Sequence, residues 1–319
     1  MKTKSKDLKI SVIFVPVIAI FCTLLWGTAF PAIKIGYVLF AVAPEDIPAK
    51  LLFAGLRFMI AGLIVLGIGS LRPDKNGLPI RLRKKDIAPI ALLSLFQTFM
   101  QYFLLYIGIG GVSGTRSALY TSVAAFASVL AAPLFFKSEK ITIKALGGCI
   151  LGIAGLAVLL TDSDAGGFTL TGDLLVILSN MSGAAGNIVS KKISDHRRPE
   201  QVSGWQLLMG GAALTVIGLL FGGRLNAQNY TAWLLLLYLG AMAGIAFMLW
   251  TMLLRNNPVG RVAVFNFLIP VFGTMWSGIF LLENIFTLQN ILSLLLVSTG
   301  IFIVNFRKGF RGQDSGFRS

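Results

Sequence analysis

Two basic residues of this sequence stand within long apolar segments. Lys34 lies at the end of the apolar run that contains Trp26, and Arg57 lies about two helical turns into the next run. A charge in such surroundings must reach a polar interface, find a partner or line a wet cavity. Together the two could attract a carboxylate or a phosphate of a small molecule. Their long side chains could equally extend to an interface or cap helix ends, so both interpretations stay open.

Polar and aromatic residues recur through the apolar segments at spacings that place them on shared helix faces. Gln97 and Gln101 lie four residues apart, as do Tyr102 and Tyr106. Aromatic walls with a few hydrogen-bonding groups suit an amphipathic solute, whereas inter-helix hydrogen bonds and interfacial aromatic belts are the competing explanation. The candidate solute pathway comprises Trp26, Thr28, Phe30, Lys34, Arg57, Gln97, Gln101, Tyr102, Tyr106, Asn180, Asn187, Phe247, Trp250 and Asn266.

Neither enzymatic nor ATP-driven chemistry is indicated. The segment 111–114 matches a GxSG protease pattern, but the single histidine, His196, falls on the opposite predicted side, so Ser113 lacks a general base. The sequence contains no GxxxxGK[ST] phosphate loop. We therefore predict a protein that is not an enzyme and that uses no metal and no other cofactor.

The composition indicates the class of protein to which these residues belong. Of 319 residues, 55% are hydrophobic and only 13% are charged, too few to cover a soluble surface of this size. The net charge of +15 would suit nucleic acid, but the basic residues lie in short loops between apolar runs. We infer a polytopic protein embedded in a lipid bilayer, without a nucleic-acid partner. Cys22 and Cys149 fall in apolar segments and are interpreted as core residues.

Ten apolar segments are long enough to span a membrane, so the predicted fold is all-α. They are 12–35, 51–71, 87–109, 115–136, 144–161, 172–190, 202–222, 231–254, 261–282 and 286–306. If the chain crosses the membrane at each of these segments, all but five of its 28 basic residues lie on the same side of the membrane. The five exceptions are Lys34, Lys50, Arg57, Arg116 and Arg224. We therefore expect a cell-membrane protein with the N-terminus, 1–11, and the tail, 307–319, in the cytoplasm.

Glycines within these segments predict close helix packing, within one chain or between subunits, which leaves a homodimer open. Two of them begin short stretches of small residues that resemble each other, 27–29 and 183–185, and the other four form two GxxxG patterns. The glycines concerned are Gly27, Gly183, Gly148, Gly152, Gly240 and Gly244.

A weak internal repeat divides the chain into two halves. Arg116 and Arg261 are each followed two residues later by alanine, at a common offset. The halves would be 12–161 and 172–306, with five spans each. Because five is odd, two similar halves must insert with opposite orientation, and inverted repeats recur in secondary transporters that bind solute near the midplane.

Acidic side chains are missing from the central parts of the predicted spans. Glu139 and Glu283 fall at helix ends, where we expect them to stabilise loops or neighbouring helix N-termini. Proton-coupled carriers commonly place titratable groups in the membrane. This pattern favours facilitated diffusion or exchange over proton antiport.

Several motifs resemble those of one transporter superfamily. They are Trp26-Gly27-Thr28-Ala29-Phe30 with Lys34, Arg57-Phe58, and the stretch from Pro270 to Glu283 with Thr287 and Gly300. With the ten predicted spans, they resemble the drug/metabolite transporter superfamily, in particular its EamA-type members, over about residues 12–306. The resemblance implies a solute carrier that works without ATP, often an exporter of amino acids or other small metabolites.

We therefore predict a secondary transporter that exports a small organic solute by alternating access. One alternative is an uptake carrier or strict exchanger of anionic, phosphorylated or sugar-linked metabolites. Another, from a different class, is a membrane sensor or assembly factor that transports nothing.

Overall fold

The structure is a computed structural model that describes residues 14–72, 79–109, 112, 116–117, 120–136, 143–160, 169–194, 197–257, 259, 262, 264–282 and 286–305. Over these residues the secondary structure is helical and contains no strand. The predicted all-α fold class is confirmed.

The helices follow the order of the predicted spans. They are α1 (Phe14–Leu39), α2 (Ile47–Leu71), α3 (Lys84–Ser94), α4 (Gln101–Gly108), α5 (Ser122–Phe135), α6 (Ile143–Leu160), α7 (Leu175–Ser194), α8 (Pro199–Leu220), α9 (Tyr230–Asn256), α10 (Leu268–Leu281) and α11 (Leu288–Asn305). A π-helical turn, Leu95–Met100, joins α3 to α4 in one rod, 84–108. Another, Leu170–Leu174, precedes α7, and a 3₁₀ turn, Val264–Phe267, precedes α10.

Five described helices are long and apolar enough to cross a membrane: 15–39, 47–71, the rod 84–108, 199–220 and 230–256. Shorter apolar helices cover 122–135, 146–155, 268–281 and 288–300. In α7, serines and asparagines interrupt the apolar residues, and several of them face the cavity described below. The count of ten spans stays a prediction.

Helix α2 begins earlier than its apolar run suggests. Asp46 caps it by accepting a hydrogen bond from Ala49 N at 2.9 Å, and Pro48 occupies its first turn, where a missing N–H costs nothing. The start at Ile47 places Arg57 roughly 15 Å along the helix. That is about half of a bilayer's hydrocarbon thickness, so Arg57 lies deeper than the sequence indicated.

Helices α2 and α8 pack against each other along most of their lengths. Glycines permit this approach: a Cβ at Gly62 would lie 2.7 Å from Leu208 N, and one at Gly211 would lie 2.7 Å from Met59 N. Since backbone atoms cannot rotate away, only glycine fits these positions. The interface joins the two halves of the chain.

The remaining pairings are reciprocal between the two halves. Helix α1 packs on α9 and α10 of the C-terminal half, and α7 packs on the rod and α5 of the N-terminal half. The last helices of each half, α6 and α11, pack together. Both α1 and α7 therefore make most of their helix contacts with the opposite half of the chain.

The glycines singled out in the sequence lie at such contacts. A Cβ at Gly27 would lie 2.6 Å from Phe272 Cβ, one at Gly240 would lie 2.6 Å from Ile60 Cγ2, and one at Gly244 would lie 2.8 Å from Ala61 O. The backbone of the other GxxxG pattern lies against α11, where a Cβ at Gly300 would lie 2.8 Å from Gly152 N, and a Cβ at Gly152 itself would meet the ring of Phe126 in α5. Both patterns are thus engaged within one chain, and the homodimer stays a prediction.

Candidate solute-binding site

A cavity of about 110 Å³ lies where α1, α7 and their neighbours meet. A single buried water needs only about 10–15 Å³, so this space suits a larger guest. Most residues of the candidate pathway line it: Trp26, Phe30, Arg57, Gln97, Gln101, Tyr102, Asn180, Asn187, Phe247, Trp250 and Asn266. The structure therefore brings together side chains from six separate predicted spans.

One side of the cavity is a continuous aromatic wall, composed of Trp26, Tyr102, Phe247 and Trp250, and Phe58 packs against Tyr102 without lining the cavity. The Trp26 ring meets those of Trp250 and Phe247 edge-on, at centroid distances of 5.0 and 5.5 Å. Tyr102 lies 6.5 Å from Phe247 and 4.2 Å from Phe58. These edge-to-face contacts fix the rings and give the cavity a rigid apolar surface.

Arg57 stands at one end of this wall and is 1% exposed. Its Nη1 donates to Tyr106 Oη at 2.8 Å, and its Nε donates a longer hydrogen bond to Leu239 O at 3.4 Å. The guanidinium carbon lies 4.8 Å from the centroid of Phe58 and 5.8 Å from that of Tyr102. The suggestion that Arg57 extends to the membrane surface is therefore wrong: its side chain turns inward, toward the cavity.

Amide side chains form the opposite side of the cavity. Gln97 Nε2 donates to Asn187 Oδ1 at 3.1 Å, which joins the rod to α7. Gln97 projects from the π-helical turn, and the carbonyl of Phe96 in the same turn accepts a hydrogen bond from Ser182 Oγ at 2.7 Å. π-Helical turns often occur at functional sites. This one aims Gln97 into the cavity.

Three cavity-lining groups make no hydrogen bond within the described part of the chain: Trp26 Nε1, Ser179 Oγ and Asn266 Oδ1. Buried polar groups are normally bonded, because an unbonded one costs about 1–3 kcal/mol. The three residues line the cavity, but these polar atoms expose almost no surface, so a guest would reach them only after a side-chain rotation.

Three residues of the candidate pathway lie elsewhere. Thr28 shares a hydrogen bond of 2.7 Å with Tyr238, which is 43% exposed, so it faces α9 instead of the cavity. Lys34 is half-buried and does not line the cavity. Tyr106 is fully buried behind Arg57, where it orients the guanidinium.

An acidic residue that the sequence analysis missed is Asp173, which is fully buried. Its Oδ1 lies 2.8 Å from Arg116 Nη2 and accepts a hydrogen bond from Tyr120 at 2.8 Å. Its Oδ2 accepts from the Thr169 backbone N–H at 2.8 Å. Arg116 is only 3% exposed, so this ion pair is buried. The sequence did contain a signal for this pair. Arg116 and Asp173 each lie at the start of a predicted span, and both of these spans start on the predicted outer side.

A second ion pair lies at the other end of α7. Arg197, just beyond the helix, approaches Asp86 Oδ1 of α3 through Nη2 at 2.9 Å, and its side chain is 19% exposed. Both ends of α7 are thus tied to the first half of the chain. The other charged groups discussed for coupling and catalysis, namely Glu139, Glu283, His196, Arg261 and Ser113, lie outside the described residues.

Gly183 offers a test of whether the cavity is the working site. A Cβ there would lie 2.8 Å from the amide of Gln101, which is the movable end of a long side chain. Gly183→Val should therefore leave the fold intact but push Gln101 into the cavity, and should weaken solute binding on the order of tenfold, about 1.4 kcal/mol. Binding is measured as solute-dependent thermal stabilisation.

The matched control is Gly147→Val, because no heavy atom lies within 4 Å of a Cβ at Gly147. If a solute stabilised Gly183→Val and Gly147→Val equally, the part of the cavity that Gln101 lines would have no role in solute binding.

Apolar helices that surround a cavity lined by aromatic and amide side chains are typical of an integral membrane protein that binds a solute. The chain belongs to the EamA-like transporter family, whose profile matches residues 13–161 and 170–306. The resemblance to drug/metabolite transporters is confirmed, and the protein is a membrane transporter and not an enzyme.

Individual relatives agree with this assignment. The chain is 29% identical to the "Uncharacterized transporter YvbV" of Bacillus subtilis (strain 168), over 89% of each chain. It is 27% identical to the chloroplastic "WAT1-related protein At3g02690" of Arabidopsis thaliana, over 89% of this chain and 67% of that one. A "S-adenosylmethionine/S-adenosylhomocysteine transporter" of Chlamydia trachomatis is 24% identical, over 82% and 80%. A crystal structure matches the fold with a TM-score of 0.67 at 19% identity, over 91% of this chain and 95% of that chain.

Proposed function

We propose that this protein is a secondary transporter that exports a small organic solute, an amino acid or a related metabolite, from the cell by alternating access. The observation that carries the proposal is the cavity, which is lined by helices of both halves and contains hydrogen-bonding groups without partners. The Chlamydia relative, named for two small organic solutes, supports this substrate class.

The architecture proposed for this function is two inverted repeats of five spans, 12–161 and 172–306. The reciprocal pairings of α1 and α7 support it, since similar halves related by a two-fold axis exchange partners in this manner. Rocking of one half against the other would expose the cavity to each side in turn. The protein would lie in the cell membrane with both termini in the cytoplasm, because this orientation places the basic loops on the cytoplasmic side.

Flux in proteoliposomes tests the proposal. Purified protein would be reconstituted with labelled amino acids and small metabolites, with and without a pH gradient and with and without solute on the opposite side. We expect flux that needs no pH gradient, because the cavity-lining residues described here include no carboxylate. Uphill flux driven by a pH gradient would contradict that expectation and would implicate Glu139 or Glu283 instead.

Accessibility of the cavity distinguishes a transporter from a static sensor. In a chain with Cys22 and Cys149 replaced by alanine, Ser179→Cys places a thiol on the cavity wall. We expect membrane-impermeant thiol reagents to modify it from either side, at rates that a transported solute changes. The control Leu63→Cys, on a lipid-facing position that is 57% exposed, should stay unmodified. Modification of Ser179→Cys from one side only, under every condition, would favour the sensor.

A further inference from the structure

The buried basic residues of this protein differ in how their charges are balanced. Lys50, which is 1% exposed, donates to Pro44 O at 2.6 Å and lies near the carboxylates of Glu45 and Asp46. Arg116 pairs with Asp173, and Arg197 pairs with Asp86. Arg198 lies 3.5 Å from Glu200 and donates to the carbonyls at two helix-end positions. Arg57 contacts no carboxylate within the described residues, and its hydrogen-bond partners, Tyr106 and Leu239 O, are both neutral.

One nitrogen of Arg57 is left available. Nε and Nη1 donate to the two neutral partners, whereas Nη2 makes no hydrogen bond to any residue that the structure describes. Arg57 also lines the cavity. The bonds to Tyr106 and Leu239 hold the guanidinium in place and leave Nη2 without a described partner, at a residue that lines the cavity.

The energetics of such an arrangement call for an anion. A charge removed from water without a counter-charge costs several kcal/mol, and cation–π contacts of the kind made to Phe58 and Tyr102 return only about 0.5–2 kcal/mol each. The described cavity-lining side chains carry no negative charge that could make up the difference. A negatively charged molecule that enters the cavity would supply this counter-charge.

We infer that the transported solute is a small organic anion, whose carboxylate or other acidic group binds at Arg57 and whose apolar body lies along the aromatic wall. This inference rests on the proposed transport function and names its substrate class. The aromatic wall runs from Tyr102 beside Arg57 to Trp250, so a solute anchored at Arg57 extends over rings.

The inference also separates the roles of the two basic residues noted in the sequence. Lys34 does not line the cavity, and the structure gives it no direct part in holding the anion. Arg57 alone of the two is placed to recognise charge. Guanidinium forms strong, directional hydrogen bonds to carboxylates, which a lysine reproduces only as a point charge.

Matched acids, amides and amines test the inference on the full-length protein. The probes are phenylacetate, phenylacetamide and phenethylamine, together with indole-3-acetate, indole-3-acetamide and tryptamine. Each is titrated while the thermal unfolding midpoint is followed in detergent, and each is then offered for flux in proteoliposomes. We expect at least one acid to stabilise the protein at a tenfold lower concentration than its amide or amine requires, and the same acid to show flux.

Variants tie this preference to Arg57. Arg57→Gln should abolish the advantage of the acid, and Arg57→Lys should keep part of it. Arg224→Gln is the matched control, since Arg224 is an exposed arginine on the same predicted face and should behave as wild type. Gel filtration confirms that each variant is folded.

Three results would overturn the inference. Amides or amines that bind as well as their acids would remove charge as the basis of recognition, as would an Arg57→Gln variant that keeps the acid preference. Stabilisation by chloride as large as that by the acids would assign Arg57 to a structural inorganic ion. If none of the acids acts while a neutral or cationic solute shows flux, the anion inference fails and the transport function stands; a protein without flux for any solute counts against the transport function itself.

Discussion

Asp173→Asn is expected to lower the free energy of unfolding by about 3–5 kcal/mol, a large fraction of the stability of most proteins. The substitution leaves the Arg116 guanidinium, 3% exposed, without its carboxylate. It also weakens the acceptor shared by Tyr120 and the Thr169 backbone N–H. Loss of one partner is costly at such a site because the other charge stays buried. The measurement is the thermal midpoint of the purified protein in detergent, followed by gel filtration.

Two comparisons show whether burial of the pair is responsible. The double variant Asp173→Asn with Arg116→Gln removes both charges and should recover part of the loss. Asp86→Asn breaks the ion pair at the opposite end of α7, where Arg197 is 19% exposed and water can solvate the remaining charge. We expect a smaller effect there, about 1 kcal/mol. An Asp173→Asn variant as stable as wild type would mean that Arg116 is held mainly by other groups.

Gly62→Ala is expected to destabilise the protein by about 1–3 kcal/mol, the usual cost of overpacking. The added methyl would lie 2.7 Å from Leu208 N and 2.8 Å from Gly204 O, both backbone atoms of α8. Helices α2 and α8 would have to separate along their length, because neither backbone can yield locally. The loss is measured as a lower thermal midpoint.

Gly67 provides the control on the same helix, five residues further on. A Cβ at this position meets nothing within 4 Å. Gly67→Ala should leave the midpoint unchanged or raise it slightly, since alanine favours the helix over glycine by about 0.5–1 kcal/mol. If both alanines had the same effect, helix propensity and not the α2–α8 contact would explain the result at Gly62.

The sequence predicted the helical class and most of the side chains around the cavity. Amides and aromatic residues such as Gln97 and Trp250 stand out because a polar atom within an apolar span is costly unless it bonds to another group or lines a solute pathway. The direction of Arg57 could not be predicted in the same way. Lipid and protein interior are both apolar, so an apolar pattern does not distinguish the two sides of a helix. Only the start of α2 at Ile47 and the partner Tyr106 fix its depth and direction.

Other features depend on contacts between residues far apart in the chain. Asp173 lies in the first turn of its predicted span, where an acidic residue is an ordinary helix-dipole feature. Its pairing with Arg116 becomes apparent only when α5 and α7 are adjacent. The π-helical turn at Leu95–Met100 is also hidden in the sequence, because six residues are too few for their hydrophobic periodicity to differ from that of an α-helix. This turn nevertheless determines where Gln97 points.

The pairing of α2 with α8 has a consequence for biosynthesis. The ribosome delivers α2 about 150 residues before α8, and at roughly 5–20 residues per second the glycine-lined face of α2 waits roughly 7–30 seconds for its partner. Helices α1 and α6 wait as well, for α9, α10 and α11. The first half therefore leaves the translocon with its best packing surfaces facing lipid or a chaperone. Tertiary assembly is a late step, completed only when the second half has been inserted.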